Sequence, residues 1–159
     1  MGRLGLTGVG TIVAMGVDAA GAFDPGALIG GSARICAYNW DRNPVCETIQ
    51  AVRADAVTPH PRASASGLRL DATVRTNVGI TNLDSRAHRY VVNAIGERGS
   101  AAVEIVVPPY ALVQRPLPSG DYGALTVEIT TDYASAPWLF FATSIDNATA
   151  VATTKIGMP

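Results

Sequence analysis

The sequence predicts an all-β chain folded as an antiparallel sandwich of about nine strands, and three observations carry that prediction. From Thr73 onward, apolar and polar residues alternate with a period of two in one run after another. Clusters of Gly, Pro, Asn, Asp and Ser break these runs at intervals of about 10 to 12 residues. No window shows the 3.6-residue period of an amphipathic helix. The composition agrees, with 16 Gly, 10 Pro, 48% hydrophobic residues and only 16% charged residues in 159. That is fewer charges than the roughly one quarter usual in soluble domains.

Each element follows from its pattern. Over Thr73 to Asn82 (TVRTNVGITN), Val74, Thr76, Val78 and Ile80 point one way and Arg75, Asn77 and Thr81 the other. LDSRAH is a polar turn, and Arg89 to Ile95 is the next strand. Gly96-Glu97-Arg98-Gly99 closes a hairpin, with glycines where positive φ is cheap. Ala101 to Val107 returns with Val103, Ile105 and Val107 inward until Pro108-Pro109, which cannot donate to a ladder, stops it. A short strand over Ala111 to Leu117 ends at Pro118-Ser119-Gly120. Ala124 to Thr131 alternates with Leu125, Val127 and Ile129 inward. Trp138 to Ile145 is almost continuously apolar, as suits a strand in the middle of a sheet. Asp146-Asn147 begins a turn, and Val151 to Ile156 is the last strand.

The amino-terminal part admits two readings. After Arg3 comes an apolar run ending near Ala20-Gly21-Ala22, which has the form of a signal peptide with a small-residue cleavage site. Alternatively, Gly10 to Asn39 repeats the pattern of Gly123 to Asn147. Both have an apolar-alternating run, an Asp, an Ala-bearing loop, a Pro and a strand closed by Asn. On that reading residues 1–50 are a β-hairpin segment, the end of a preceding sandwich module. Residues 51–67 (AVRADAVTPHPRASASG), with two prolines and no period, are a connector, and 68–159 are the sandwich module.

Val74-Arg75-Thr76-Asn77-Val78-Gly79-Ile80-Thr81-Asn82 resembles the first strand of the immunoglobulin-like β-sandwich modules of exported bacterial proteins. Val107-Pro108-Pro109 is similar to their mid-module turn. Ile145-Asp146-Asn147-Ala148-Thr149 is similar to their closing strand, and Ala33 to Asn39 resembles the end of a preceding module. The chain departs from that pattern after Thr149, where Ala150-Val151 replaces a Gly-Asp pair. The resemblance covers about residues 68–159. It implies a non-enzymatic structural or interaction module of a secreted or cell-surface protein, in an accessory or adhesive role, with no cofactor.

Charge and motifs exclude several function classes. With 12 basic and 13 acidic residues and net charge −1, the chain has no basic stripe for nucleic acid. No run reaches the 18 apolar residues of a membrane span. There is no Gly-x-Ser-x-Gly elbow and no phosphate-binding glycine loop. The carboxylates Asp121, Glu128, Asp132 and Asp146 are scattered over turns and one outward strand face. His60, between Pro59 and Pro61, reads as an exposed loop residue. His88 reads as part of a polar turn beside Arg86 and Arg89. Asp132, Asp146 and Asn147 are weak candidates for a Ca²⁺ site, against the simpler reading of an Asx turn at Asp146.

The two cysteines, Cys36 and Cys46, are too far apart in sequence for a Cys-x-x-Cys motif and lack partners for zinc. Flanking a predicted hairpin, they face each other across it. A disulfide there would contribute about 2–3 kcal/mol and places the chain in an oxidising, extracytoplasmic compartment. The hairpin tip, Trp40-Asp41-Arg42, is the leading candidate for contact with a protein or glycan surface. Tyr110, Tyr122 and Tyr133 are further aromatic candidates, and Trp138 is assigned to the core. A carbohydrate- or small-ligand-binding module is the alternative function.

Overall fold

The computed structural model describes residues 18–22, 32–38, 42, 44–50 and 59–159. Strands β1 (Ser32–Tyr38) and β2 (Pro44–Gln50) form an antiparallel hairpin. Eight further strands follow: β3 (Arg62–Leu70), β4 (Val74–Asn82), β5 (His88–Gly96), β6 (Gly99–Val107), β7 (Leu112–Pro116), β8 (Gly123–Thr131), β9 (Trp138–Asp146) and β10 (Ala152–Ile156). They form two four-stranded antiparallel sheets, ordered β10-β9-β4-β7 and β3-β8-β5-β6. The described residues are all β and contain no helix, hence none long and apolar enough to cross a membrane. Among the described residues the two sheets hold eight strands, where the sequence pattern predicts about nine.

The two sheets bury one core between them, and period two decides which side chains enter it. Val78 and Ile80 of β4, Tyr90 and Val92 of β5, Val127 and Ile129 of β8, and Trp138 and Phe140 of β9 are all essentially inaccessible. Fully burying a side chain of this size stabilises by roughly 1.5–3 kcal/mol. The largely apolar β9 is an interior strand between β10 and β4. Its outward residue Phe141 lies over Gly79, its register partner, where a Cβ would meet the ring.

A polar tie joins the sheets. Thr76 of β4 and Ser144 of β9 are buried, with their hydroxyls 2.9 Å apart. Thr76 Oγ1 donates to the carbonyl of Arg69 in β3, and the Arg69 N–H donates to Ser144 Oγ. Both hydroxyls are satisfied, so their burial is tolerated.

The segment expected as a connector needs correction. From Arg62 it belongs to β3, which pairs with β8 along its length. Its inward residues before the bulge are Ala63 and Ala65, too small to stand out against Ser64 and Ser66. Between Ala65 and Leu68 the register shifts, and Gly67 takes a φ of 75°. That bulge moves Leu68 and Leu70 into the core and breaks the period that would have revealed the strand. Residues 51–58 lie outside the described residues.

Candidate functional site: the aromatic loop end

Three loops leave the sandwich at one end. β4 finishes at Asn82, paired with Trp138 at the start of β9, and β5 starts at His88, paired with Val107 at the end of β6. The 83–87, 108–111 and 132–137 loops therefore meet there. The entry to β3 joins them, through a hydrogen bond from the Thr131 N–H to the Pro61 carbonyl.

Asn82 organises these loops. Its side chain is wholly buried, and Nδ2 donates to the carbonyls of Arg86 (2.6 Å), Val107 (3.2 Å) and Pro108 (3.1 Å). Oδ1 accepts from the Asp84 N–H at 2.9 Å. Backbone bonds from Asn82 to Ala111, Leu83 to Pro137 and Tyr110 to Asp84 complete the frame. One amide with two donors and an acceptor thus serves four backbone groups at this end.

Asp84 and His88 occupy this frame. Asp84 Oδ2 lies 2.7 Å from His88 Nε2, and Oδ1 accepts from the Ser85 N–H at 2.6 Å. The bond to His88, then that to the Ser85 N–H, holds the Asp84 carboxyl below its ordinary pKa. His88 is 7% exposed and opens β5, so its assignment to a polar turn among cations is corrected: it is a core-edge residue. Its ring stacks on Tyr133, with centroids 4.8 Å apart and planes at 14°. The pair ties the 83–87 loop to the start of β5.

The neighbouring aromatics continue inward. Trp138, fully buried, donates from Nε1 to the His60 carbonyl at 2.9 Å, and the His60 ring lies 4.6 Å from the indole. His60 is accordingly half-buried, correcting its reading as an exposed loop residue. Tyr90 packs 5.2 Å from Trp138 on the other side. Burial, with the Asp84 charge second, pushes the Tyr90 phenol up to about 12. Outside this layer stand Tyr110, 72% exposed with a φ of 51°, and Tyr133, 40% exposed. The two tyrosines flank the Asp84 loop, one through a backbone bond to Asp84 and the other through the His88 ring.

The Ca²⁺ candidates are not brought together. Asp146 ends β9 and Asp132 precedes its start, so they sit at opposite ends of a nine-residue strand, about 26 Å long. Asp146 Oδ1 accepts from the N–H groups of Ala148 (2.9 Å) and Thr149 (2.8 Å), an Asx turn that lowers its pKa. Asn147 Oδ1 accepts from Arg75. Among the described residues no group of three potential metal ligands occurs. Asp71 caps the β3–β4 turn in the same way through Thr73 and Val74, and those bonds hold its carboxyl far below the ordinary range. An Asp two residues before a Thr in a short turn was the available signal.

In the amino-terminal hairpin, Cys36 and Cys46 are direct register partners, and Cys46 is half-buried. Arg42, in the loop between Tyr38 and Pro44, is exposed with a φ of 59°. Trp40 and Asp41 lie outside the described residues.

No protein-family model matches the chain, and no curated protein matches it. Among solved structures, the crystal structure of Thermotoga maritima 1070 is similar, with a TM-score of 0.51 and 11% identity over 62% of this chain and 92% of that one. At that identity the likeness concerns the fold alone.

Proposed function

We propose that this chain is a non-enzymatic interaction module of the immunoglobulin-like type, carried by a secreted or cell-surface protein and presenting loops on a rigid sandwich. The observation that carries this reading is the direct opposition of Cys36 and Cys46 across β1 and β2. Opposed residues of an antiparallel pair have Cα atoms about 4.5–5.5 Å apart, within the span a disulfide bridges. A staple there is stable in an oxidising compartment, where small extracellular modules use such bonds. The Asp71, Asp84 and Asp146 carboxylates are each committed to ordering their own turn, which suits presentation of a surface better than acid–base chemistry.

Thiol alkylation of the chain in fractionated producing cells tests the proposal. Protection of both cysteines until reductant is added, in the cell-envelope or secreted fraction, is expected. Two freely alkylated thiols in that fraction overturn the staple. Turnover on a hydrolase substrate panel, lost on substituting a carboxylate, overturns the non-enzymatic reading.

A second reading, a carbohydrate-binding module, is favoured by the paired exposure of Tyr110 and Tyr133 around the Asp84 loop. Aromatic faces with a polar tip suit stacking against sugar rings. Binding on a glycan array that is lost in both Tyr110→Ala and Tyr133→Ala would select it over a purely protein-contacting role.

A further inference from the structure

The four sheet edges are treated unequally. β10 is five residues long and carries Lys155, and β7 is five residues long, ends at Pro116 and follows Pro108-Pro109. β3 is bulged at Gly67, and Met158 bridges it at Ser64 through two backbone bonds. Short length, Lys, Pro, bulges and cover are the usual means of preventing strand addition. Among the described residues β6 has none of them. It runs nine residues from Gly99 to Val107 in unbroken register with β5, contains no Pro or Lys, and has β5 as its one sheet neighbour among the described residues. Its single charge, Glu104, is paired 3.2 Å away with Arg89 of its own sheet, and Val106 is 58% exposed. Beside it a groove of about 350 Å³ opens between Val103–Val106 and Val113, Arg115 and Pro116 of β7.

We propose that β6 is a strand-addition surface whose occupant is β6 of a second copy of this chain, paired antiparallel about a two-fold axis at Ala102. The strand is complementary to itself in bulk, and the pairing keeps its one charge away from its copy. Its first half, Gly99-Ser100-Ala101-Ala102, is small, and its second, Val103-Glu104-Ile105-Val106, is bulky and acidic. Antiparallel pairing at Ala102 sets Val103 against the partner's Ala101 and Ile105 against the partner's Gly99. It also places Ser100, on the exposed face, opposite the partner's Glu104, twice by symmetry. An axis at Glu104 would oppose two carboxylates. The result is a continuous eight-stranded sheet joined by backbone bonds. This self-pairing is independent of whatever other surface the module contacts.

Sedimentation velocity on the full chain, from about 1 µM to 1 mM, tests it, since an interface of this small size gives weak association. Concentration-dependent dimers are expected. Ser100→Glu, which opposes two carboxylates at each of two positions, weakens the dimer at least about tenfold, and Ser100→Lys tightens it about threefold or more. Ser100 is exposed, so both variants should melt like the parent when dilute. A monomer at every concentration overturns the proposal. So does a dimer whose dissociation constant is the same in both variants, because association would then use another face.

Discussion

Asp84 Oδ2 and His88 Nε2 lie 2.7 Å apart at the loop end of the sandwich, with the imidazole stacked on Tyr133. Because hydrogen bonds to the charged form lower the Asp84 pKa, the folded state holds this carboxylate ionised more tightly than the unfolded chain does. Its contribution to stability is complete above the unfolded carboxylate pKa of about 4 and is lost as pH falls through the depressed folded value. Asp84→Asn should therefore lower the melting temperature at pH 7 and flatten its fall below about pH 4. Thermal melts across pH 2 to 7 check this, and parallel parent and variant curves would refute it.

Asn82 serves four backbone groups with one side chain. Asn82→Ala removes the donors shared by the Arg86, Val107 and Pro108 carbonyls and the acceptor of the Asp84 N–H, and releases both loops at once. A cost of about 2–4 kcal/mol is expected in denaturant unfolding, from a lost buried network. Hydrogen exchange should rise selectively at Asp84 and at Tyr110, whose N–H donates to the Asp84 carbonyl. If the Tyr110–Tyr133 surface binds glycans, that binding should weaken in the same variant.

The fold was largely legible where side chains on the two faces of a strand differ in polarity and size. β4, β8 and β9 declare themselves because Val, Ile, Leu and Phe alternate with polar residues or run unbroken. β3 does not, because Ala faces inward, Ser outward and a bulge resets the phase. The same limit governed the site. Trp138 as core and Asp146 as an Asx turn follow from local composition. The burial of His88 and the packing of His60 on Trp138 depend on residues 45 and 78 positions away, and no local pattern encodes contacts of that range.

Gly157 lies where a Cβ would collide with the Phe140 ring, and Phe140 is buried in the core beside Trp138. Gly157→Ala should destabilise by about 1–3 kcal/mol, the usual cost of overpacking a filled core. Gly79→Ala is the control. Its added methyl meets the far end of the Phe141 ring, on the half-buried outer face, and should cost less. Equal losses in the two variants by urea denaturation would contradict this ordering.

Ala150 adopts a φ of 59° in the β9–β10 turn, where its N–H donates to the Asp146 carbonyl. A left-handed conformation costs an L-residue about 1–2 kcal/mol, and glycine adopts it freely. Glycine also loses more backbone entropy on folding, which offsets part of that gain. Ala150→Gly should therefore stabilise the chain by about 0.5–1 kcal/mol. Ala150→Val, with a branched side chain at the same φ, should destabilise it. Opposite signs in these two variants, read as shifts in the urea midpoint at constant slope, would place the strain in the backbone of the turn. Shifts of the same sign would assign it to side-chain packing instead.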